Sequence, residues 1–191
     1  MKPPALLIRP STPADLPAIT AIYAHAVLHG TGTFETEPPD TTEMARRQAD
    51  VQAKGLPWLV AQSGGQVAGQ VGGQAAGGQI LGYAYANHFR PRKAYRFCLE
   101  DSIYLHPDAQ GQGVGRLLLA ELLGRCEALG ARQMLAVIGD AANAGSIGVH
   151  AGQGFVYCGV LKASGWKFDR WVDVVLMQRA LGAGDRLPAQ D

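Results

Sequence analysis

The stretch from Glu100 to Leu119 reads EDSIYLHPDAQGQGVGRLLL: an alternating apolar run, a short turn, and then Gln110, Gly111, Gln112, Gly113, Val114, Gly115 and Arg116 leading directly into an apolar-striped helix. Glycines at a helix start let a ligand approach the free backbone N–H groups, and the positive end of the helix dipole favours phosphate there. The turn therefore reads as a pyrophosphate site, with a tight turn that holds no ligand as the plainer alternative. Two other phosphate cradles are excluded. A dinucleotide fingerprint starting at Gly111 would need a third glycine where Arg116 stands, and no Gly-Lys-Ser/Thr follows for a P-loop.

Around this turn stand residues that can move protons. Glu100 opens the run that feeds the turn; strand alternation puts it on one face with Ser102 and Tyr104, while Ile103 and Leu105 point the other way and Asp101 faces away from Glu100. Such a carboxylate can be aimed into a cleft, or can be an ordinary solvated glutamate. Asn143, Ser146 and His150 stack on one stripe of a predicted helix beside an apolar stripe of Ala144, Ile147 and Ala151, which is a cofactor wall or merely a polar face. Arg90, Arg92, Lys93 and Arg96 cluster before Glu100, and a guanidinium fork suits a carboxylate, although a solvated basic loop looks the same in sequence. His25 and His29, four apart, have no third convergent ligand for a metal, so no metal site is expected. A Ser-His-Asp triad has no nucleophile elbow to support it.

The pattern Gln-x-x-Gly-x-Gly followed by Arg116 resembles the acyl-CoA pyrophosphate loop of the GNAT superfamily of N-acetyltransferases. Phe34-Glu35-Thr36, the PWLVA strand, FRPRKAY from Phe89 to Tyr95, the Glu100 to Leu105 strand, AVIG, Asn143 to His150, and Gly165-Trp166-Lys167 with Trp171 extend the resemblance to its phosphinothricin and methionine sulfoximine acetyltransferase branch, over most of residues 5–180. The resemblance implies acetyl-CoA as co-substrate and a small amino acid analogue as the amine acceptor. It implies that Ile103, Tyr104 and Leu105, the Gln110 to Arg116 turn, Asn143 and Ser146 contact acetyl-CoA. It gives Glu100 the role of general base, through water, and puts His150 where the superfamily usually carries a tyrosine that protonates the CoA sulfur. Phe34, Arg90, Lys93, Ala94 and Tyr95 are implied for the acceptor, and a homodimer for the assembly. A non-catalytic acyl-CoA binding module and a nucleotide-binding oxidoreductase fragment are the rival readings, the latter disfavoured by Arg116.

These residues need a scaffold. The spacing predicts a strand from Leu6 to Arg9 and a helix that Thr12 caps, with Asp15 at capping-box spacing, and Gly30 stops, in which Leu16, Ile19, Ile22, Tyr23, Ala26 and Val27 recur on one face. A polar helix from Thr42 to Lys54 and a hairpin of Trp58 to Ala61 with Ile80 to Ala86 follow. Then come a strand from Phe97 to Leu105 and a helix from Val114 to Leu129 with a Leu118, Leu122, Cys126 and Leu129 core stripe. Further on, the pattern predicts a strand from Met134 to Ile138, a helix from Asn143 to Gln153, and strands Phe155 to Leu161 and Trp171 to Gln178. Hairpins early and crossovers later argue an α+β fold, and the resemblance specifies a GNAT-like, mixed and largely antiparallel twisted sheet flanked by helices.

The 191 residues favour one domain, 1–182, with 183–191 a loose tail; 62–79, rich in Gly and Gln, read as a flexible expanded hairpin insertion. Hydrophobic residues make up 47% and charged residues 17%, which excludes wholesale disorder. A formal net charge of +1 gives no electrostatic reason to expect nucleic acid or an anionic membrane. Three cysteines, with no Cys-x-x-Cys, make no disulfide framework, and no apolar run is long enough for a signal peptide or a membrane span, so a cytoplasmic protein is expected.

Overall fold

The computed structural model describes residues 6–64 and 78–189. The chain begins with strand β1 (Leu6–Pro10), a 3-10 turn at Pro13–Asp15 and helix α1 (Leu16–His29). The expected capping box is present: Thr12 and Asp15 satisfy each other's backbone N–H groups, and Asp15 also receives Arg9 in a bidentate pair at 2.7 Å. That arginine lowers the Asp15 pKa to about 2. Helix α2 (Thr41–Ala53), capped by Asp40, is tied through Gln48 to Ser11, whose hydroxyl in turn donates to the Trp58 carbonyl.

Strands β2 (Trp58–Ser63), β3 (Ile80–His88) and β4 (Cys98–Leu105) form an antiparallel meander with β1 on its outer edge. Helix α3 (Val114–Ala128) crosses over to β5 (Gln133–Gly139), which lies parallel to β4. Helix α4 (Ala144–Ala151) leads to the long strands β6 (Val156–Lys167) and β7 (Arg170–Ala180), and the sheet order is β1-β2-β3-β4-β5-β7-β6. One parallel pair in a seven-stranded sheet matches the expected mixed, largely antiparallel α+β architecture.

The core lies on both faces of the sheet. On one, Ile19, Ile22, Tyr23 and Val27 of α1 cover an aromatic layer in which Trp58, Tyr85, Tyr83 and Tyr104 stack and Tyr23 meets Tyr104 edge-on at 4.9 Å. On the other, Leu118, Leu119, Leu122, Leu123 and Cys126 of α3 are buried.

Several sequence expectations need correcting. Leu129 is 58% exposed, because it lies at the C-cap of α3 and the stripe continues instead through Ala131. On α4, Ala144 and Ala151 are exposed, and Ile147, Val149 and His150 make the packing face. Gln62 and Ser63, expected in the insertion, belong to β2 and pair with Leu7 and Leu6, and the Gln79 carbonyl, at its other end, accepts from the Ser63 N–H; 65–77 of the expected flexible tip lie outside the described residues. From Gly182 the chain makes successive hydrogen-bonded turns rather than leaving as a loose tail, with Gly184 buried and the Pro188 carbonyl accepting from Arg132. Strand β6 runs six residues past Leu161, because a bulge at 162–164 lets pairing with β7 resume at Gly165.

Candidate active site

The two parallel strands separate. Ladder pairing between β4 and β5 covers only Cys98, Leu99 and Glu100 against Gln133, Met134 and Leu135, while β4 continues on β3 and β5 continues on β7. Beyond Glu100 and Leu135 the facing edges diverge around a cleft of about 920 Å³. Its walls come from Glu100 to Leu105 of β4, Ala136 to Gly139 of β5, the start of α4, the end of α1 and the loop at 30–34. At its far end lie Pro107, Gln110, Gly111 and Gly115. Unpaired strand edges offer backbone donors and acceptors to whatever lodges between them.

The glycine turn has the geometry that phosphate needs. Gly111 and Gly113 sit in the left-handed region at φ 71° and 81°, and Gly113 is the N-cap of α3. A Cβ at either position would meet no protein atom within 4 Å, so both face open space at a helix N-terminus of fifteen residues. Gly115 fits between Leu105 and Val149, which brings β4, α3 and α4 together at the turn. Val114 is buried in the core, Gln112 donates to the Asp108 carbonyl, and the exposed Arg116 holds Gln153 through its carbonyl oxygen; none of these three side chains lines the cleft. These observations fit an acyl-CoA molecule: an N-terminal cradle for its diphosphate, and a fork between strands for its arm.

Glu100 stands where the fork opens. Burial raises its pKa, the neighbouring Asp101 charge adds to that, and Arg90 opposes both. A carboxylate held above its usual range is better matched to taking a proton near neutral pH.

Asp101 points to the opposite face, as alternation requires, and is buried against α4. Its Oδ1 lies 3.0 Å from His150 Nε2, while His150 Nδ1 lies 2.7 Å from the Ser146 carbonyl oxygen. A carbonyl only accepts, so Nδ1 carries a hydrogen; a second, on Nε2, meets the carboxylate, and the network assigns the ring as an imidazolium. Burial alone would lower the His150 pKa; the Asp101 hydrogen bond and charge and the Ser146 carbonyl outweigh it, and the net direction is up. The ring is 2% exposed and both N–H groups are committed. His150 lines the cleft, and passing a proton from the ring to a CoA sulfur would require it to give up one of these bonds. Alternation alone placed Asp101 on the correct face, but nothing in the sequence linked it to a histidine 49 positions away.

The Asn143 carboxamide is also occupied, capping α4 by accepting from the Ser146 N–H at 3.1 Å. Asn143 and Ser146 both line the cleft, as do Ile103, Tyr104 and Leu105. Arg90, Lys93, Ala94 and Tyr95 do not line it; they form an exposed segment between β3 and β4 in which Arg90 lies over the Phe89 ring and Tyr95 meets that ring edge-on. Phe34 does line it. Residues that pattern reading missed include Thr31, Thr33 and Asp140: Thr31 bonds Asp140, and Asp140, at φ 72°, pairs with Arg170. His25 and His29 reach the cleft with their rings 4.6 Å apart, and among the described residues no group of three potential ligands could hold a metal ion.

Residues 20–155 match the model of the Acetyltransferase (GNAT) family. The chain is 57% identical over 171 residues to phosphinothricin N-acetyltransferase of Alcaligenes faecalis, covering 90% of this chain and 80% of that one. It is 39% identical over 174 residues to the L-methionine sulfoximine/L-methionine sulfone acetyltransferase of Pseudomonas aeruginosa, covering 90% and 92%. The crystal structure of a GNAT superfamily phosphinothricin acetyltransferase from Sinorhizobium meliloti in complex with AcCoA superposes with a TM-score of 0.88 at 45% identity, over 97% of this chain and 94% of that one. The forked sheet, the glycine turn on α3 and these likenesses agree, and the chain belongs to the GNAT acetyltransferase family.

Proposed function

We propose that this enzyme transfers the acetyl group of acetyl-CoA to the primary amine of a small amino acid analogue of the phosphinothricin or methionine sulfoximine type. The observation that carries the reading is Glu100 at the opening of a fork whose other end is the glycine-rich N-terminus of α3. Bound there, acetyl-CoA supplies an activated acyl carbon and a thiolate leaving group. The α3 turn, from Gln110 to Arg116, binds the diphosphate, and the unpaired edge of Ile103, Tyr104 and Leu105 orients the arm, with Asn143 and Ser146 on the opposite wall. Glu100, through water, takes the proton that an amine carries at neutral pH. His150 acts through Asp101 and Ser146 to hold α4 against β4. Phe34 forms an apolar wall for the acceptor, and the basic segment at 90–95, with Arg90 close enough to act on the Glu100 charge, supplies a guanidinium for its carboxylate.

The domain reading is one catalytic domain over 1–182. A homodimer is supported by the edge strand β6 and its neighbour β7, which expose Val156, Tyr157, Leu161, Trp166 and Trp171. Among the described residues no helix is long and apolar enough to cross a membrane, and the three cysteines are free, which supports the cytoplasm as its place.

The test is release of CoA thiol with acetyl-CoA and a panel of phosphinothricin, methionine sulfoximine and methionine sulfone. Amine-dependent release with the N-acetyl product is expected. Tight acetyl-CoA binding without release for any amine would overturn the reading in favour of a non-catalytic acyl-CoA binding module.

A further inference from the structure

Beyond the bulge at 162–164, fastened by Asp173 to the Ala163 N–H and to Lys162, the end of β6 packs against the loop at 30–34. There, Gly165 and Lys167 share one face of β6 while Trp166 takes the other, 56% exposed. Lys167 is 3% exposed, and its ammonium donates to the carbonyl oxygens of Gly30 at 2.8 Å and Thr33 at 2.9 Å. One side chain thus closes the loop that starts at the end of α1 and carries Phe34. A buried cation is retained at a cost, and here the return is loop geometry.

The same loop is fixed on other sides. The Tyr23 hydroxyl donates to Glu35 and accepts from Thr33, and Arg47 pairs with Glu35 at 2.6 Å. Thr31 bonds Asp140, and the backbone of Gly139 is so near that a Cβ there would overlap the Thr31 carbonyl oxygen. With its backbone fastened, Phe34 can move mainly by its ring. That ring rests directly on Gly165: a Cβ at 165 would overlap the ring edge and lie 2.9 Å from Cζ.

We propose that Gly165 and Lys167 are positioning residues that gauge the acceptor site, Lys167 by clasping the loop at 30–33 and Gly165 by letting the Phe34 ring stand back from the cleft. The inference rests on the acceptor reading above. A methyl group at 165 pushes the ring forward into the space for the acceptor side chain. Loss of the Lys167 ammonium releases the loop that carries the ring. Neither change touches the α3 turn or the β4 edge, so acetyl-CoA binding is unaffected.

The test measures KM for phosphinothricin and for acetyl-CoA in Gly165→Ala, Lys167→Met and Phe34→Ala, and in each of the first two combined with Phe34→Ala. Gly165→Ala should raise the phosphinothricin KM by roughly tenfold, the scale of about 1.4 kcal/mol of lost binding, with the acetyl-CoA KM unchanged. In the Phe34→Ala background the same substitution should have no further effect, because the overlap is with the ring. Lys167→Met should raise the phosphinothricin KM in the single variant, again sparing acetyl-CoA. If Gly165→Ala does not fold alone, recovery of folding in the double variant reports the same overlap. An undiminished Gly165→Ala effect without Phe34, or acetyl-CoA KM rising in step, would overturn the inference while leaving the acetyltransferase reading intact. A wild-type protein that turns over no acceptor would overturn both.

Discussion

Glu100 and His150 lie on two faces of one cleft wall and receive opposite treatment from their surroundings. Glu100, the proposed base, faces the fork and its charge is disfavoured, first by burial and then by Asp101. Because the reactive form is the carboxylate, turnover should fall as pH drops through a pKa above 4.5, and removing the opposing Arg90 charge should push that limb to still higher pH. Turnover-versus-pH curves of wild type and Arg90→Ala, at saturating acetyl-CoA, check the direction. Glu100→Gln should lose roughly 10²- to 10⁴-fold in turnover and lose the limb itself, with acetyl-CoA affinity retained. His150 should fail differently. His150→Phe leaves the Asp101 carboxylate buried without its cation, and breaking such a pair costs about 3–5 kcal/mol, read as a lowered midpoint of thermal or denaturant unfolding. Asp101→Asn should cost less, since its amide can donate to Nε2 of a neutral ring. A raised histidine pKa stabilises the fold below about pH 6.5 and the contribution is lost as pH rises through the folded value, so the advantage of wild type over Asp101→Asn should shrink on the alkaline side. At this scale the sequence carried residue types and faces but not partners. Alternation located Glu100, Asp101 and the α4 stripe; the commitment of both His150 nitrogens depends on the packing of α4 onto β4, which no local spacing encodes.

Among the elements, helix α3 combines two functions in one sequence run. Its buried leucines hold the sheet face, and its N-terminus turns toward the cleft through residues that only glycine accommodates without strain. Gly113→Ala places a Cβ at φ 81° in open space, so no steric overlap with the protein follows and the folding cost is that of a left-handed alanine, about 1–2 kcal/mol. A ligand lying over the turn feels the methyl group in addition. The acetyl-CoA KM should therefore rise while the acceptor KM stays put, the reverse of the Gly165→Ala split, and steady-state kinetics in both substrates separate the two. The helix itself was legible because its apolar period is strong over four turns. Its end was not: Leu129 continues the spacing but falls at the C-cap, where Gly130 at φ 86° reverses the chain. The fork between β4 and β5 was invisible for a similar reason. Each strand reads as a complete strand because each keeps a full partner on its other side, and the loss of pairing between them leaves no trace in either pattern.

Over the whole molecule, the sheet is divided by the fork into β1 to β4 on one side and β5, β7 and β6 on the other, with the cleft as the division. The early meander and the later crossover were readable from the change in periodicity and loop length, whereas the order β5-β7-β6 was not, because strand order in a mixed sheet depends on which edges remain free. Placing β7 inside leaves β6 as an edge of twelve residues, and long edges invite pairing unless they are covered. Here the edge carries no proline and few charges, and Val156, Tyr157 and Leu161 are each more than half exposed, as are Trp166 and its cross-strand partner Trp171. Single surface aromatics are common in monomers, but a row of this kind along one edge favours a partner surface of like character. A second copy of the chain would supply such a surface with two-fold symmetry. Sedimentation equilibrium of the wild-type protein should then report twice the 20.2 kDa chain mass, and the Trp166→Asp/Trp171→Asp variant should report the chain mass, because two carboxylates per protomer would have to be buried against their symmetry mates. A wild-type monomer across the accessible concentration range, or a double variant that remains dimeric, would show that the β6 edge is covered by something other than its own copy.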